Sequence, residues 1–356
     1  RSRTWWTRGG CSTGVCFLTL SPKLVARLLA RADAGTKLRL AKVVFKLGKA
    51  DDVVKCMLCP NMCLYMCPVF DVERRLTVSP SVKMRLAYFM EEEVFDAIYH
   101  CLPCDACKAS CPMEISVGEK LAEARVGRRS KLAEEAARKA EELMAEARRE
   151  AEREERDGKI LYFPGCRTFE AGLFKPTVEA LEKLGVDFAV SSQLVCCGMP
   201  YYELGFREKF REHAKELRKL ASGYKSIVSS CPHCIYIMRK LGIEANHVMK
   251  LLKPIRIGGD ISYHDPCILA RRLKVVEEPR RLLESMGFKL HEPPYSRHET
   301  YCCGYGGIYR LVDRGYAERI AEARRSHFTY EVVTTCPACK MALKAKDIIE
   351  LVVMEL

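Results

Sequence analysis

Twenty cysteines fall in this chain, and eighteen of them are grouped. The grouping constrains the fold more than any other feature. Two vicinal pairs mark it most sharply: "VCCGMP" at 195–200 and "YCCGYGG" at 301–307. Neighbouring side chains normally point apart, so a vicinal pair makes awkward ligands for one ion, yet the chain builds it twice. Each pair belongs to a set of five: Cys166, Cys196, Cys197, Cys231 and Cys234, then Cys267, Cys302, Cys303, Cys336 and Cys339. The flanks repeat as well. "ILYFPGC" (160–166) matches "ISYHDPC" (261–267), "VEALEKLGVDF" (178–188) resembles "RRLLESMGFKL" (280–290), and "IVSSCPHC" (227–234) matches "VVTTCPAC" (332–339). The offsets run from 101 to 106 residues, and so steady an offset indicates a duplicated domain.

Each repeat reads as strand, helix, strand, loop, helix, strand, helix. "KILYF", "SIVSS", "DISYH" and "EVVTT" are short apolar or β-branched runs suited to buried strands. "FREKFREHAKELRKLAS" (206–222) and "DRGYAERIAEARRS" (313–326) are amphipathic helices. This alternation argues for α/β domains with largely parallel sheets. Cys166, Cys231, Cys267 and Cys336 each follow a strand candidate directly, beyond the carboxyl ends where such sheets hold ligands.

Residues 56–111 hold the other grouped cysteines. Cys101, Cys104, Cys107 and Cys111-Pro112 have the C-x2-C-x2-C-x3-C-P spacing of a bacterial two-cluster ferredoxin, whose fourth cysteine serves the other cluster. Cys56, Cys59, Cys63 and Cys67-Pro68 form a second run with one extra residue before Cys63. That logic assigns Cys101, Cys104, Cys107 and Cys67 to one [4Fe–4S] cluster, and Cys56, Cys59, Cys63 and Cys111 to another. Two zinc sites are the alternative. In the repeats, five thiolates are one too many for zinc or a cubane. Either a thiolate bridges two irons, or four ligands stand beside a reactive thiol. Pro232 and Pro337 suit first helical turns, which favour thiolate at the flanking cysteines. Gly198 and Gly304 are expected to let the backbone approach a cluster.

The chain has 356 residues, enough for two or three domains. A secreted disulfide scaffold would be shorter and carry an export signal, and residues 1–20 read poorly as one. The chain starts on Arg1 and its first methionine is Met57, so residues 1–20, with Cys11 and Cys16, carry no argument. No apolar run of about 18 residues predicts a membrane span. The net charge is +13, of which residues 1–50 supply +10, which excludes a general nucleic-acid surface. Residues 22–49 read as two helical pieces broken near Gly35, with Lys23, Arg27 and Arg31 on one face. That helix either packs on its own protein or docks on an anionic membrane or acidic partner. Residues 119–157 lack cysteine and favour helix; their apolar stripe is thin, and a mostly solvated connector is expected.

The C…CCG…CxxC repeats resemble the cysteine-rich "CCG" domain family. An eight-cysteine ferredoxin module ahead of two such repeats is similar to the D-type subunit of heterodisulfide reductase. It is also similar to iron–sulfur subunits of glycolate oxidase, anaerobic glycerol-3-phosphate dehydrogenase and sulfite-reduction membrane complexes. The resemblance covers about residues 51–356 and implies an α+β multidomain protein: a helical two-cluster ferredoxin module followed by two duplicated α/β domains. The expected divisions are a basic extension (1–50), a two-[4Fe–4S] domain (51–117), a charged helical linker (118–158) and CCG domains at 159–255 and 256–356. The resemblance implies a noncubane [4Fe–4S] cluster on each five-cysteine set, the two facing each other and cleaving a disulfide between them. Cys196, Cys197, Cys302 and Cys303 would then carry the catalysis as cluster-bound thiolates.

The expected function is an oxidoreductase subunit passing electrons through the ferredoxin clusters to a disulfide or related sulfur substrate. A membrane cytochrome b-type quinol-oxidising subunit or a flavoprotein subunit would be its partner, at the cytoplasmic face of the membrane. His233, His264 and His298 are candidates to supply the two protons, against a bland hydrogen-bonding role; Tyr263 and Tyr301 read as packing residues. A competing reading is the electron-transfer subunit of a flavin-dependent 2-hydroxy-acid or glycerol-3-phosphate dehydrogenase. No G-x-G-x-x-G follows a strand, so any flavin is expected on a partner. A third reading is a zinc scaffold that docks partners through its basic end.

Overall fold

The structure, a computed structural model, describes residues 52–89, 92–128 and 130–355, the side chains of residues 92–95 excepted. The expected helices of residues 22–49, the basic extension, Cys11 and Cys16 lie outside the described residues. The chain divides into two units, Arg1–Val54 and Lys55–Leu356. Of the first, residues 52–54 are described, and they open the helix Asp52–Leu58.

In the second unit each repeat is built on four parallel strands. The first sheet has the order β2-β1-β3-β4, with β1 Ile160–Tyr162, β2 Phe188–Ala189, β3 Ser226–Ser229 and β4 Asn246–His247. The second repeats it as β6-β5-β7-β8, with β5 Gly259–His264, β6 Phe288–Leu290, β7 Glu331–Thr334 and β8 Lys346–Asp347. The inner strands are the β-branched runs, and helices cover them. Apolar residues of both sheets, among them Tyr162, Ile261 and Val333, and of the covering helices, among them Val178 and Ile348, form one core. The last helix, Ile348–Val353, packs on Phe174–Lys183 of the first repeat.

Chain order places the site. From β1 the chain crosses to one side to make β2, then returns to the opposite side as β3, so a crevice opens beyond the carboxyl ends of β1 and β3. Cys166 opens the helix Cys166–Glu170 there, and Cys231 caps Pro232–Lys240. In the second repeat Cys267 follows β5, and Cys336 caps Pro337–Leu343. Pro232 and Pro337 take first helical positions, where a missing N–H costs nothing.

The cysteine-rich module is short helices and turns, including Pro68–Glu73, Pro80–Phe89 and Ala106–Ala109. The connector expected to be mostly solvated is instead packed along one face. It contains the helix Lys131–Glu152, capped by Ser130, whose side chain accepts from the Ala133 amide at 3.3 Å. Ala133, Ala136, Ala137, Ala140, Ala147 and Ala151 are all buried. The helix packs on Cys166–Glu170 and Tyr309–Val312. Its stripe is thin because it is made of alanine, which allows close approach.

One buried carboxyl leads to a prediction. Asp347 caps the last helix, accepting from the Ile349 amide at 3.1 Å in a capping box with Glu350. Burial pushes its carboxyl up to about 7, from an ordinary 3.8. Between those values the unfolded chain holds fewer protons than the folded one. This contribution is therefore full below about pH 4 and fades as pH rises through about 7. Asp347→Asn keeps the acceptor and removes the titration. Its urea midpoint should fall less between pH 5 and pH 8 than that of the parent protein.

Candidate metal centre

All eighteen described cysteines are free thiols. In the dicluster region burial, with Cys63, Cys111 and Cys59 as neighbours, pushes the Cys56 thiol up to about 12. Burial, with Cys67, Cys111 and Cys59 nearby, pushes Cys63 up to about 11. Cys107 is raised by burial and by Cys104, Cys101, Cys63 and Cys67. Cys56, Cys59, Cys63 and Cys111 thus act on one another, as do Cys67, Cys101, Cys104 and Cys107, and Cys63 also faces Cys67 and Cys107. Lys83 stands beside the second group, fully buried, with its ammonium on the His100 carbonyl at 2.8 Å and its charge acting on Cys101, Cys67 and Cys107.

The vicinal pairs lie in the middle of their sets. Cys166 Sγ is 3.9 Å from Cys196 Sγ, and the chain of contacts continues from Cys196 to Cys197, Cys234 and Cys231. In the second repeat Cys267 and Cys302 are 3.7 Å apart, and Cys339 and Cys303 are 3.3 Å apart; Cys302 touches Cys303, and Cys336 touches Cys339. These separations exceed a disulfide bond and suit thiolates that share a metal group.

The two repeat sets approach each other. Cys231 of the first repeat acts on Cys336 of the second, and Cys267 acts on His233. A narrow cavity between them is lined by Pro232 and His233 on one side and by Cys267, Cys303, Cys336 and Cys339 on the other. The dicluster region reaches the second repeat through Cys104, whose thiol contacts Cys302. Arg271 fastens that junction: its side chain is buried and donates to the carbonyls of Cys104 at 2.5 Å and Thr300 at 2.7 Å. Arg272 pairs with Asp105 at 3.1 Å, and Tyr301 donates to Asp71 at 2.9 Å.

The donor chemistry fits iron–sulfur clusters. Burial disfavours thiolate, as the raised Cys56, Cys63 and Cys107 show, whereas a coordinating thiol loses its proton outright. Soft sulfur donors in close sets, with buried cations nearby, suit an anionic cluster.

The histidines separate. His233 is buried beside Cys231, and His264 lies within 4.8 Å of the Cys303 and Cys339 sulfurs. His298 is exposed and bonds the Ala270 carbonyl at 3.1 Å. Tyr263 is buried against Thr335 at 2.8 Å. Gly198 brings its backbone to sulfur as expected, its amide donating to Cys196 Sγ at 3.4 Å. A Cβ on Gly198 would meet His213 at 2.9 Å, and one on Gly304 would meet the Ala317 carbonyl at 2.6 Å. Both atoms belong to the helices behind the loops, so helix packing leaves no room for a side chain at either glycine. At Gly165 an added Cβ would itself meet sulfur, 2.6 Å from Cys234 Sγ at φ +81°. Gly165→Ala should therefore lower iron binding in the first repeat. Gly172→Ala is the control: φ is +65° but no atom lies within 4 Å. It should cost about 1–2 kcal/mol of backbone strain and leave iron content, measured by metal analysis, unchanged.

Several residues at the site carry no sequence signal. Buried Glu203 of the first repeat accepts from the Ile308 amide of the second at 2.8 Å. Buried Glu73 accepts from Tyr309 at 2.7 Å and bonds His100 at 2.8 Å. A cleft of about 430 Å³ opens beside Cys196, bordered by Met144, Arg148, Leu194 and His213.

Comparison with known proteins agrees with this geometry. Residues 160–239 and 261–344 match the cysteine-rich domain (CCG) family, and residues 52–115 match the 4Fe-4S dicluster domain. The chain is 27% identical over 289 residues to the B-type subunit of the fumarate reductase (CoM/CoB) of Methanothermobacter marburgensis, covering 70% of this chain and 58% of that protein. It is 26% identical over 322 residues to the D-type subunit of the dihydromethanophenazine:CoB–CoM heterodisulfide reductase of Methanosarcina barkeri, covering 73% and 78%. It is 24% identical over 195 residues to lactate utilization protein A of Bacillus pumilus, covering 47% and 80%. The chain spans less than two thirds of the fumarate reductase polypeptide that it matches. With an iron–sulfur dicluster domain ahead of two cysteine-rich repeats, the chain belongs to the CCG-domain iron–sulfur proteins.

Proposed function

We propose that the chain is an iron–sulfur oxidoreductase subunit of the heterodisulfide reductase type, reducing a disulfide or related sulfur substrate. Cys56, Cys59, Cys63 and Cys111 hold one cubane [4Fe–4S] cluster, and Cys67, Cys101, Cys104 and Cys107 hold another. Each five-cysteine repeat holds a noncubane [4Fe–4S] cluster, and the five divisions expected from the sequence belong to the same reading. The observation that carries it is the meeting of the two repeat sets across one narrow cavity lined by thiols of the second repeat and by His233 of the first. When bound, such clusters supply single electrons, and a disulfide needs two. The chain's own residues keep the cavity narrow, place Cys104 against Cys302, and put His233 beside the sulfur positions.

Its partner in this reading is a cytochrome b-type membrane subunit or a flavoprotein subunit. Leu58, Met62, Tyr65 and Met113, all exposed beside the first cysteine group, offer it a docking face. Among the described residues no helix is long and apolar enough to cross a membrane. The test is EPR of the anaerobic protein with and without a substrate thiol. A change in at least one repeat-cluster signal is the expected result. No change in either would contradict disulfide cleavage there and favour a pure electron-transfer role beside a flavin dehydrogenase.

A further inference from the structure

The two five-cysteine repeats match thiol for thiol, but their surroundings differ: His233 of the first stands where the second has Ala338, and a second contrast lies before the first cysteine. Three residues before the first cysteine, the first repeat has Phe163 and the second has His264. Phe163 is buried in an apolar cluster with Leu161, Cys197 and Met199. His264 is fully buried, and a ring nitrogen lies within 4.8 Å of both Cys303 Sγ and Cys339 Sγ. Behind it stands Arg324, on the helix Arg314–Arg325 and itself fully buried. Arg324 Nε donates to His264 Nδ1 at 3.3 Å. Its other hydrogens go to the carbonyls of Pro294 at 2.7 Å and Tyr295 at 3.1 Å, and to His327 Nδ1 at 3.4 Å. Among the described residues none of these partners is a carboxylate. Asp265, the nearest acid to act on Arg324, is itself held by Arg280.

A guanidinium only donates hydrogen bonds. Nδ1 of His264 must therefore turn its lone pair to Arg324, which puts the ring proton on Nε2. Nε2 is buried with no hydrogen-bond partner among the described residues, and a ring nitrogen lies within 4.8 Å of Cys303 Sγ. With a proton on Nε2, the ring has no lone pair left there to ligate a metal, so His264, Cys303 and Cys339 do not make a separate metal site. We infer that His264, aligned by Arg324, donates a hydrogen bond to the Cys303 thiolate and raises the reduction potential of the second-repeat cluster. The physical cause is general: reduction adds negative charge, and a hydrogen bond to ligand sulfur with a buried cation behind it stabilises that charge. The inference rests on the reading that the repeats hold clusters. It gives the second-repeat centre, next to Cys104, a tuning pair of its own.

His264 and Arg324 act here as positioning and tuning residues. The experiment is an EPR-monitored redox titration of the anaerobically purified, iron-loaded full chain, with no substrate added. His264→Phe, which installs the residue of the first repeat, should shift the reduction equilibrium of one repeat signal at least tenfold toward the oxidised form. For a one-electron couple that is about 59 mV. The other repeat signal and the iron content should not move. Arg324→Met should shift the same signal in the same direction. His264→Gln, which keeps a donor, should shift it less, and it serves if the phenylalanine variant does not fold. The inference is overturned if these variants leave both signals in place, move both equally, or release iron from the second repeat, which would make His264 a ligand. Wild-type repeats without iron would overturn the cluster reading and this inference with it. That result appears before any variant is made, so the two failures are distinguishable.

Discussion

Replacing Cys303 with serine should remove about four irons per chain, one [4Fe–4S] cluster's worth, and leave the other centres loaded. Cys303 lies in the middle of its set: its thiol contacts Cys302, Cys339 and His264, all buried. Serine fills nearly the same space, so the fold has little reason to change. A hydroxyl is a far harder and less acidic donor than a thiol, so it does not replace a thiolate that other ligands depend on. The first repeat, with its own five cysteines, should keep its EPR signal. Iron analysis with EPR on the anaerobic variant checks this. Unchanged iron content would mean that Cys303 is the spare thiol and that four ligands suffice.

Arg280→Met should be the most damaging single change outside the cysteines, at about 3–5 kcal/mol. Arg280 grips Asp265 with two bonds of 2.7 Å each and reaches Glu292 at 2.6 Å. Its side chain and that of Asp265 are 3% and 2% exposed, so losing one partner strands a buried charge. The pair also shapes the site. Asp265 accepts from the Arg297 amide at 2.7 Å, and its carbonyl accepts from Thr300 at 2.8 Å. It thereby joins the loop before Cys267 to the loop before Cys302. Replacing both Asp265 and Arg280 with apolar residues should cost less than Arg280→Met alone, because no charge is stranded. Chemical denaturation of the two variants decides this: a double variant no more stable than the single one would show that the loop bonds, rather than the ion pair, dominate.

Much of this architecture is legible in the chain itself, and the limits have physical causes. The inner strands β1, β3, β5 and β7 stand out because their apolar and β-branched runs sit at the same place in both repeats. Strands β4 and β8 do not, since Asn246–His247 and Lys346–Asp347 are two polar-leaning residues each. They are extended only because β3 and β7 pair with them. The helix Lys131–Glu152 looks solvated by composition, since a stripe of alanines gives little hydropathy signal though it packs closely. The two cysteine runs at 56–67 and 101–111 show as short local spacings. The contact of Cys104 with Cys302 joins segments far apart in the chain, and no local pattern announces it. Buried cations are hidden for a different reason. Lys83, Arg271 and Arg324 look like ordinary surface charges, and only the fold turns them inward toward sulfur and carbonyl groups. The contrast of Phe163 with His264 is visible when the repeats are aligned, but the arginine that gives it meaning comes from another helix.

The central claim is that four sets of thiols hold four iron–sulfur clusters, and metal analysis of the anaerobically purified protein tests it most directly. Iron, acid-labile sulfide and zinc would be counted per chain. The account predicts a brown protein with about sixteen irons, a similar amount of labile sulfide and negligible zinc. A colourless protein with zinc and no labile sulfide would contradict it.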